Sequence, residues 1–397
     1  MGIDLLRDRG VPLDRQTFTW RELMHPPCGK LDADAFTRMR AVAMCALEVE
    51  AGRFGHACGR NDRGLRAELA RVRRIEQHQE TLLRQLVPAN QTPLESAIAH
   101  EQTAIELTAA LAASEPDAYV AQVYRFALLE DLDHLYRFAA LLDRVEGRDA
   151  NTLLQSHTDI LPGRPSALAH SHPDDDLRDP YRRDQAALTT KLGAYTAVAL
   201  KTHSRGFYLA VGASYPDPLG RQLFAELASI EEQHLTQLES LLDPEESWLE
   251  RWLLHEASEV VGYESCLAAE TDPRVRPVWE RFLGYELGQL QHVAGLLAEH
   301  EQRDPAELLD GLAPRVNPWV SHREYIRGVL RSEVHLTASG HQLIPRADDP
   351  PDSASRRYRD GVHRDGVASE RVAAGYVWSP GTELARQLPS IHRLANA

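Results

Sequence analysis

The chain has 397 residues, enough for two helical domains of ordinary size. Its formal net charge is −15 and its arginines are scattered among acidic residues, which argues against nucleic-acid binding. No apolar run approaches the ~18 residues of a membrane-spanning helix, and the first residues lack a secretion signal. Its cysteines form no CxxC pair, which is typical of reduced thiols. We therefore expect a cytoplasmic protein without a membrane partner.

Apolar residues recur at helical spacing in two blocks, 36–146 and 186–302. The first block predicts four helices, at about 34–58, 63–87, 93–114 and 117–146, separated by breaks rich in Gly, Asn, Asp and Pro. The second block has similar breaks at 216–218, 243–244 and 272–273. Because these connections are short, consecutive helices should pack antiparallel. The sequence therefore predicts an all-α fold with two tandem four-helix bundles.

The remaining segments complete a four-part organisation. Residues 1–149 form the first predicted bundle, and residues 150–183, rich in Pro, Asp, Ser and His, predict a linker. The second predicted bundle and a ninth helix at about 320–343 occupy residues 184–345. Residues 346–397 have few helix signals and predict an irregular C-terminal arm.

The two blocks resemble each other at an offset of about 155 residues. The matched segments are 75–78 (IEQH) with 230–234 (IEEQH) after insertion of one residue, 100–101 with 255–256 (both HE), and 125–130 with 281–286 (both RF followed by E). On the first helix, the alignment places Glu50 opposite His203. Because the matches keep one order and one offset, they indicate an internal duplication.

Several Glu and His residues lie at mid-helix among apolar neighbours, where an unpaired carboxylate is costly to bury. At a rise of ~1.5 Å per residue, their distances from the turns place them at similar heights in antiparallel helices. Each copy is thus predicted to converge three carboxylates and two imidazoles. The first set is Glu50, His78, Glu101, Glu130 and His134; the second is His203, Glu231, His234, Glu256 and Glu286, with His335 as an additional candidate.

This mixture of ligands suits iron or manganese, because carboxylates can bridge two cations while imidazoles occupy terminal positions. Residues 231–234 have the pattern Glu-x-x-His, and Glu101 and Glu256 match a lone Glu on a neighbouring helix. In these residues, over most of both blocks, the chain resembles the ferritin-like di-metal carboxylate superfamily. The resemblance implies a di-iron or di-manganese oxidase or oxygenase that acts on a small substrate with dioxygen or peroxide.

The sequence also departs from that superfamily. Ile75 stands where the second helix should carry a Glu, and Leu290 stands where His134 would map. The connection between His78 and Glu101 is too short for the superfamily's long crossover. The expected bundles are therefore simple up-down bundles, and one of the two sites can be vestigial.

Two other functions remain open. One is a non-catalytic metal store or peroxide scavenger, although a storage cage needs many identical subunits rather than a duplicated chain. The other is a metal-free helical scaffold in which buried Glu–His hydrogen bonds fix the register of the helices. The sequence contains no apparent nucleotide-cofactor motif, and it is compatible with a homodimer.

Overall fold

The structure is a computed structural model that describes residues 2–26, 29–30, 34–309, 314 and 318–379. Within these residues it consists of α-helices, four 3-10 turns and one β-hairpin, so the predicted all-α fold is confirmed. The helices are α1 Ala35–Asn61, α2 Arg66–Leu86, α3 Pro93–Ser114, α4 Ala118–Glu146, α5 Asn151–Leu154, α6 Ser166–Ala169, α7 Leu188–Gly212, α8 Pro218–Glu239, α9 Trp248–Ala269, α10 Arg276–His300, α11 Arg323–Glu333, α12 Ala354–Val362 and α13 Ala368–Ala373. The hairpin strands are β1 Leu336–Ser339 and β2 Gln342–Pro345. Among the described helices, none has both the length and the apolar character needed to cross a bilayer.

Local sequence signals define the starts of α3 and α9. A capping box opens α3, where the Thr92 hydroxyl accepts from the backbone N–H of Glu95 and the Glu95 carboxylate accepts from that of Thr92. Ser247 and Glu250 form the same box at the start of α9, 155 residues later. The duplication therefore includes the capping box at the start of the third helix of each copy.

The eight long helices pack as hairpins whose partners come from the other half of the chain. The α1–α2 hairpin packs against α9–α10, as shown by hydrogen bonds from Gln79 to Glu286 (2.6 Å) and from Tyr263 to Glu48. The α3–α4 hairpin packs against α7–α8, with His134 3.2 Å from Glu231. The structure thus has two four-helix groups that interleave in sequence. It differs from the predicted bundles of four consecutive helices, because each hairpin buries its apolar face against a hairpin of the other copy.

The segment predicted to be a linker, 150–183, packs closely on the helices. The backbone N–H of Arg164 donates to the Leu129 carbonyl (2.9 Å), and the Arg164 side chain is buried. A Cβ built on Gly163 would lie 2.0 Å from the Leu129 carbonyl oxygen, so only a glycine permits this approach. The segment therefore lies against α4 and contributes a buried arginine to the interior.

The C-terminal part is more regular than the predicted irregular arm. The ninth long helix predicted at 320–343 is α11 followed by the β1–β2 hairpin, so that prediction was wrong beyond Glu333. Within the predicted arm 346–397, α12 and α13 are helical, and Arg137 of α4 donates to the Ser369 carbonyl of α13 (3.2 Å). Residues 380–397 lie outside the described residues.

The N-terminal segment crosses α10 at a glycine, which gives a test of this packing. The backbone oxygen of Val11 would lie 1.9 Å from a Cβ at Gly288, whereas nothing lies within 4 Å of a Cβ at Gly295 on the same helix. We expect Gly288→Ala to lower the free energy of unfolding by about 1–3 kcal/mol. Gly295→Ala should instead raise it by up to about 1 kcal/mol, because alanine favours the helix. Urea unfolding of both variants checks this, and equal effects would contradict the contact.

Candidate metal centres

Five buried glutamates converge inside the first four-helix group, and we call this cluster the glutamate centre. They are Glu48 of α1, Glu76 of α2, Glu256 and Glu259 of α9, and Glu286 of α10. Each is at most 3% exposed. Carboxylate oxygens of Glu76, Glu256 and Glu259 all lie within 4.8 Å of one another, which is close enough for them to surround one ion.

Neutral donors orient these carboxylates from the sides. The Gln79 amide donates to Glu48 (3.0 Å) and Glu286 (2.6 Å), and the Trp252 indole N–H donates to Glu256 (2.7 Å). The Tyr263 hydroxyl also donates to Glu48. These bonds hold one oxygen of each recipient and leave the other free to bind a ligand.

The glutamate centre lacks positive charge of its own. One oxygen each of Glu48, Glu76, Glu256 and Glu286, and both of Glu259, accept no hydrogen bond from a described donor. In the described part of the chain, none of the five forms an ion pair with Lys, Arg or His. A buried carboxylate without a partner costs several kcal/mol, so this arrangement calls for a cation.

The pKa values in the glutamate centre all shift in the same direction. Burial raises the pKa of Glu76 to about 8, with a further contribution from the negative charge of Glu286. Burial also raises the pKa of Glu286 to about 7. The pKa values of Glu48, Glu256 and Glu259 lie well above the ordinary range, because of burial and then the charge of Glu286. In the absence of a cation, these carboxyls repel one another as they ionise.

A second cluster lies inside the other four-helix group, and we call it the lysine centre. It contains Glu101 of α3, Asp131 and His134 of α4, Lys201 of α7, and Glu231 of α8. Ligand atoms of the four residues other than the lysine lie within 4.8 Å of one another. His134 Nδ1 is 3.2 Å from Glu231 Oε1 and 3.4 Å from Glu101 Oε1, but neither contact has hydrogen-bond geometry.

Lys201 supplies a fixed positive charge to the lysine centre. Its ammonium group donates to Asp131 and lies 3.3 Å from Glu231. Burial lowers its pKa, but the charges of Asp131 and Glu231 outweigh burial and raise the pKa above the ordinary value. Lys201 therefore stays protonated, and it holds the pKa of Glu231 well below the usual range despite burial.

Arg164 and His234 lie at the edge of the lysine centre. Glu130 accepts a hydrogen bond from Arg164 (2.7 Å) and contacts His234 Nε2. Burial raises the pKa of Glu130, but Arg164 and His234 outweigh it and lower the pKa to about 2. For His134, burial is likewise outweighed, by Glu101 and Glu231, and its pKa rises to about 10. Without a metal ion, the lysine centre thus compensates most of its negative charge through Lys201, Arg164 and a proton on His134.

The duplication relates the two centres residue by residue. At an offset of 155, Glu76 and Gln79 correspond to Glu231 and His234, Glu256 corresponds to Glu101, and Glu286 and Gln289 correspond to Asp131 and His134. On the first helix of each copy, where the offset is 153, Glu48 corresponds to Lys201. The glutamate centre therefore has amides where the lysine centre has imidazoles, and a carboxylate where the lysine centre has an ammonium group.

The structure brings together seven of the eleven predicted site residues, in two places. Glu101, His134 and Glu231 lie in the lysine centre, with Glu130 and His234 at its edge. Glu256 and Glu286 lie in the glutamate centre. The predicted grouping by sequence half is different, because hairpins from opposite halves face each other.

Two predicted residues of the first copy lie outside both centres. Glu50 forms an ion pair with Arg53 (3.0 Å) and lines a surface cleft. His78 packs against the rings of Phe18 and Trp20, at centroid distances of 5.5 and 6.3 Å. The structure therefore does not bring these two predicted ligands to either centre.

Two predicted residues of the second copy also lie elsewhere. The His203 ring packs against the His100 ring, at 4.9 Å, and lies 3.8 Å from Cys45 Sγ, so it faces the other hairpins rather than the lysine centre. His335 is exposed in the turn between α11 and β1. The structure therefore does not bring these two histidines to either centre.

Sequence reasoning missed Glu48, Glu76, Glu259, Asp131 and Lys201. The available signal was the offset of 155 applied without an insertion, which aligns Glu76 directly with Glu231 and Asp131 with Glu286. Inserting one residue moved the alignment to His78 instead of Gln79. Lys201 had no comparable signal in the sequence, because lysine is not among the residue types that usually bind metal ions.

A surface cleft lies next to the glutamate centre. Arg53, Tyr195, Trp248 and Arg251 line it, and Phe54 and His255 form part of its wall. Phe54 and His255 also line a tightly packed region that reaches Glu76 and leaves no space for a water molecule. Phe54 and His255 therefore lie between the cleft and Glu76.

Comparisons with protein-family models, curated proteins and solved structures find no match to the chain. The fold and its sites thus define a helical protein with two buried groups of Glu, Asp and His residues that could hold metal ions.

Proposed function

We propose that the protein is a ferritin-like metalloprotein whose glutamate centre holds two divalent cations, iron or manganese. The observation that carries this proposal is the set of five buried glutamates with six unpartnered oxygens and no ion pair in the described chain. Two divalent cations would offset most of that negative charge, and carboxylates on all four helices suit bridging of two metals.

We further propose that the metal pair acts in an oxidase or oxygenase reaction on a small substrate. When bound, iron or manganese at such a site can supply electrons to dioxygen or peroxide. The cleft beside the centre supports a catalytic role over storage, because it offers a binding place for a small molecule. Its aromatic rings, including Trp248 with Arg251 5.7 Å away, suit an aromatic molecule, and both arginines and glutamates lie among them.

The surrounding residues would position ligands and control access. Gln79 holds one oxygen each of Glu48 and Glu286, and Trp252 holds one of Glu256, so their free oxygens remain directed at the interior. Burial lowers the pKa of His255 to about 3, so its imidazole is neutral and adds no charge to the wall of the cleft. Phe54 and His255 would have to move for any molecule to approach Glu76 from the cleft.

Elemental analysis of the purified full chain tests metal binding. The protein is expressed in medium supplemented with iron or manganese, as wild type, Glu256→Gln and the matched control Glu264→Gln on the same helix. Glu264 lies outside the centre and accepts from the backbone of Ile3. We expect Glu256→Gln to lose about two equivalents of metal and Glu264→Gln to lose none. Equal metal content in all three proteins would overturn the proposed site.

Consumption of dioxygen or peroxide by the loaded protein, with a reductant present, then tests the reaction. Consumption that continues over many turnovers and disappears in Glu256→Gln supports the oxidase. Metal bound in full without consumption would overturn the catalytic part and favour storage, and a wild type that binds no metal would leave a helical scaffold.

A further inference from the structure

We infer that the Lys201 ammonium group takes the place of one metal ion, so that the lysine centre binds a single divalent cation. This inference rests on the metal binding proposed above but not on the oxidase reaction. It makes the two centres unequal, with a cation pair in one and an isolated cation in the other.

The position of Lys201 carries the first step. It stands at the place that Glu48 occupies in the glutamate centre, on the first helix of its copy. Its ammonium group contacts Asp131 and Glu231, the residues that correspond to Glu286 and Glu76. In the lysine centre, a positive group therefore lies among the carboxylates. At the corresponding place in the glutamate centre, a carboxylate faces the other carboxylates.

The balance of charge carries the second step. The lysine centre and its edge contain four carboxylates, from Glu101, Glu130, Asp131 and Glu231. Lys201 and Arg164 offset two of them through direct contacts. A bound metal ion takes the place of the proton on His134, and with both imidazoles neutral two negative charges remain, which one divalent cation neutralises. A second divalent cation would leave buried positive charge in excess, which is as costly as excess negative charge.

The free ligand atoms carry the third step. Both ring nitrogens of His134 are buried and lack a hydrogen-bond partner, although two carboxylate oxygens lie within 3.4 Å of Nδ1. One oxygen each of Glu101, Asp131 and Glu231 is also unpartnered. One imidazole and carboxylate oxygens suit a first-row transition-metal ion such as Mn²⁺ or Fe²⁺. We assign Glu101, His134 and Glu231 as its ligands, with the free Asp131 oxygen beside them.

Manganese titration with electron paramagnetic resonance tests the inference. The full chain carries Glu256→Gln, which weakens the glutamate centre, with either Lys201 or Lys201→Glu. We expect about one Mn²⁺ per chain with the spectrum of an isolated ion when Lys201 is present. With Lys201→Glu, which introduces the carboxylate of the other centre, we expect about two and the spectrum of an exchange-coupled pair.

Two further variants test the inference independently of whether the Lys201→Glu protein folds. Lys201→Arg keeps the charge and should keep about one Mn²⁺. In the otherwise wild-type chain, Glu48→Lys should lower the content of the glutamate centre from about two to about one. Circular dichroism confirms that each variant remains helical.

The outcomes separate this inference from the proposed function. A coupled Mn²⁺ pair in the Glu256→Gln protein with Lys201 intact would overturn the inference, and so would the absence of any bound Mn²⁺. A single isolated Mn²⁺ in that protein supports it, even when the loaded wild type consumes neither dioxygen nor peroxide.

Discussion

The metal-free protein is expected to lose stability as the pH rises from about 5 to about 8, and bound Mn²⁺ should abolish most of that loss. The pKa values of Glu76 and Glu286 rise on folding from the ordinary 4.5 to about 8 and about 7. A group whose pKa is higher in the folded state stabilises the fold below its unfolded pKa. That contribution disappears as the pH rises through the folded value.

The size of the effect follows from the shifts. One unit of pKa corresponds to about 1.4 kcal/mol, so the two glutamates together should remove several kcal/mol of unfolding free energy by pH 8. His134, whose folded pKa is about 10, acts in the same direction above its ordinary value of 6.5. On the acid side, Glu130 has a pKa of about 2. Its contribution to the free energy of unfolding is therefore lost only as the pH falls below 4.5. The metal-free protein should thus be most stable near pH 5.

Urea unfolding at pH 5, 6.5 and 8, with EDTA or with Mn²⁺, measures this dependence. Glu76→Gln should flatten the alkaline loss in EDTA, because the amide cannot ionise. Glu80→Gln is the matched control on α2, where Glu80 pairs with Arg84 at the surface and should leave the slope unchanged. A pH dependence that is the same with EDTA and with Mn²⁺ would contradict cation binding by these carboxyls.

The helices and the chemical character of the site were predictable because they are local properties. Short breaks, apolar periodicity and the Thr92 capping box place α1 to α4 close to the predicted limits. The duplication and the burial cost of glutamates also pointed to cation-binding clusters before the structure was known. These signals depend only on residues within one helix or on the comparison of two copies.

The identity of the ligands was less predictable, because small errors along a helix become large rotations around it. Two residues correspond to about 200° around an α-helix, so Glu50 faces almost opposite to Glu48, and His203 almost opposite to Lys201. One residue corresponds to about 100°, which separates His78 from Gln79. Reading the level of a side chain along the bundle was therefore not enough to determine its direction.

The pairing of the hairpins could not be deduced from the duplication alone. Each half of the chain contributes two helical hairpins. These hairpins would bury similar apolar faces whether each packed against the other hairpin of its own half or against a hairpin of the other half. The choice depends on contacts between residues far apart in sequence, such as the one between Arg40 and Glu270. At the offsets of the repeat Glu270 corresponds to Glu115, but Arg40 corresponds to Gly193, so the repeat does not reveal this ion pair.

A double-mutant cycle on Arg40 and Glu270 should therefore show strong coupling. Glu270, just after α9, accepts from Arg40 of α1 (3.0 Å), from Thr37 (2.9 Å) and from the Trp279 indole (2.9 Å). The side chains of Arg40 and Glu270 are 2% and 0% exposed. Arg40→Met leaves a buried carboxylate without its cation and should cost about 3–5 kcal/mol of unfolding free energy.

The coupling energy of the cycle distinguishes interleaved packing from tandem packing. With Glu270→Met as the second variant, we expect about 1–3 kcal/mol of coupling, because each side chain contributes less to the free energy of unfolding once its partner has been removed. The surface pair Arg84–Glu80, four residues apart on α2, is the control and should couple by less than about 0.5 kcal/mol. Bundles of four consecutive helices would place Arg40 and Glu270 in different cores, so independent effects of the two substitutions would rule out the interleaved arrangement. Strong coupling would show that the first and last hairpins close around one interior, which is the condition for the glutamate centre to exist.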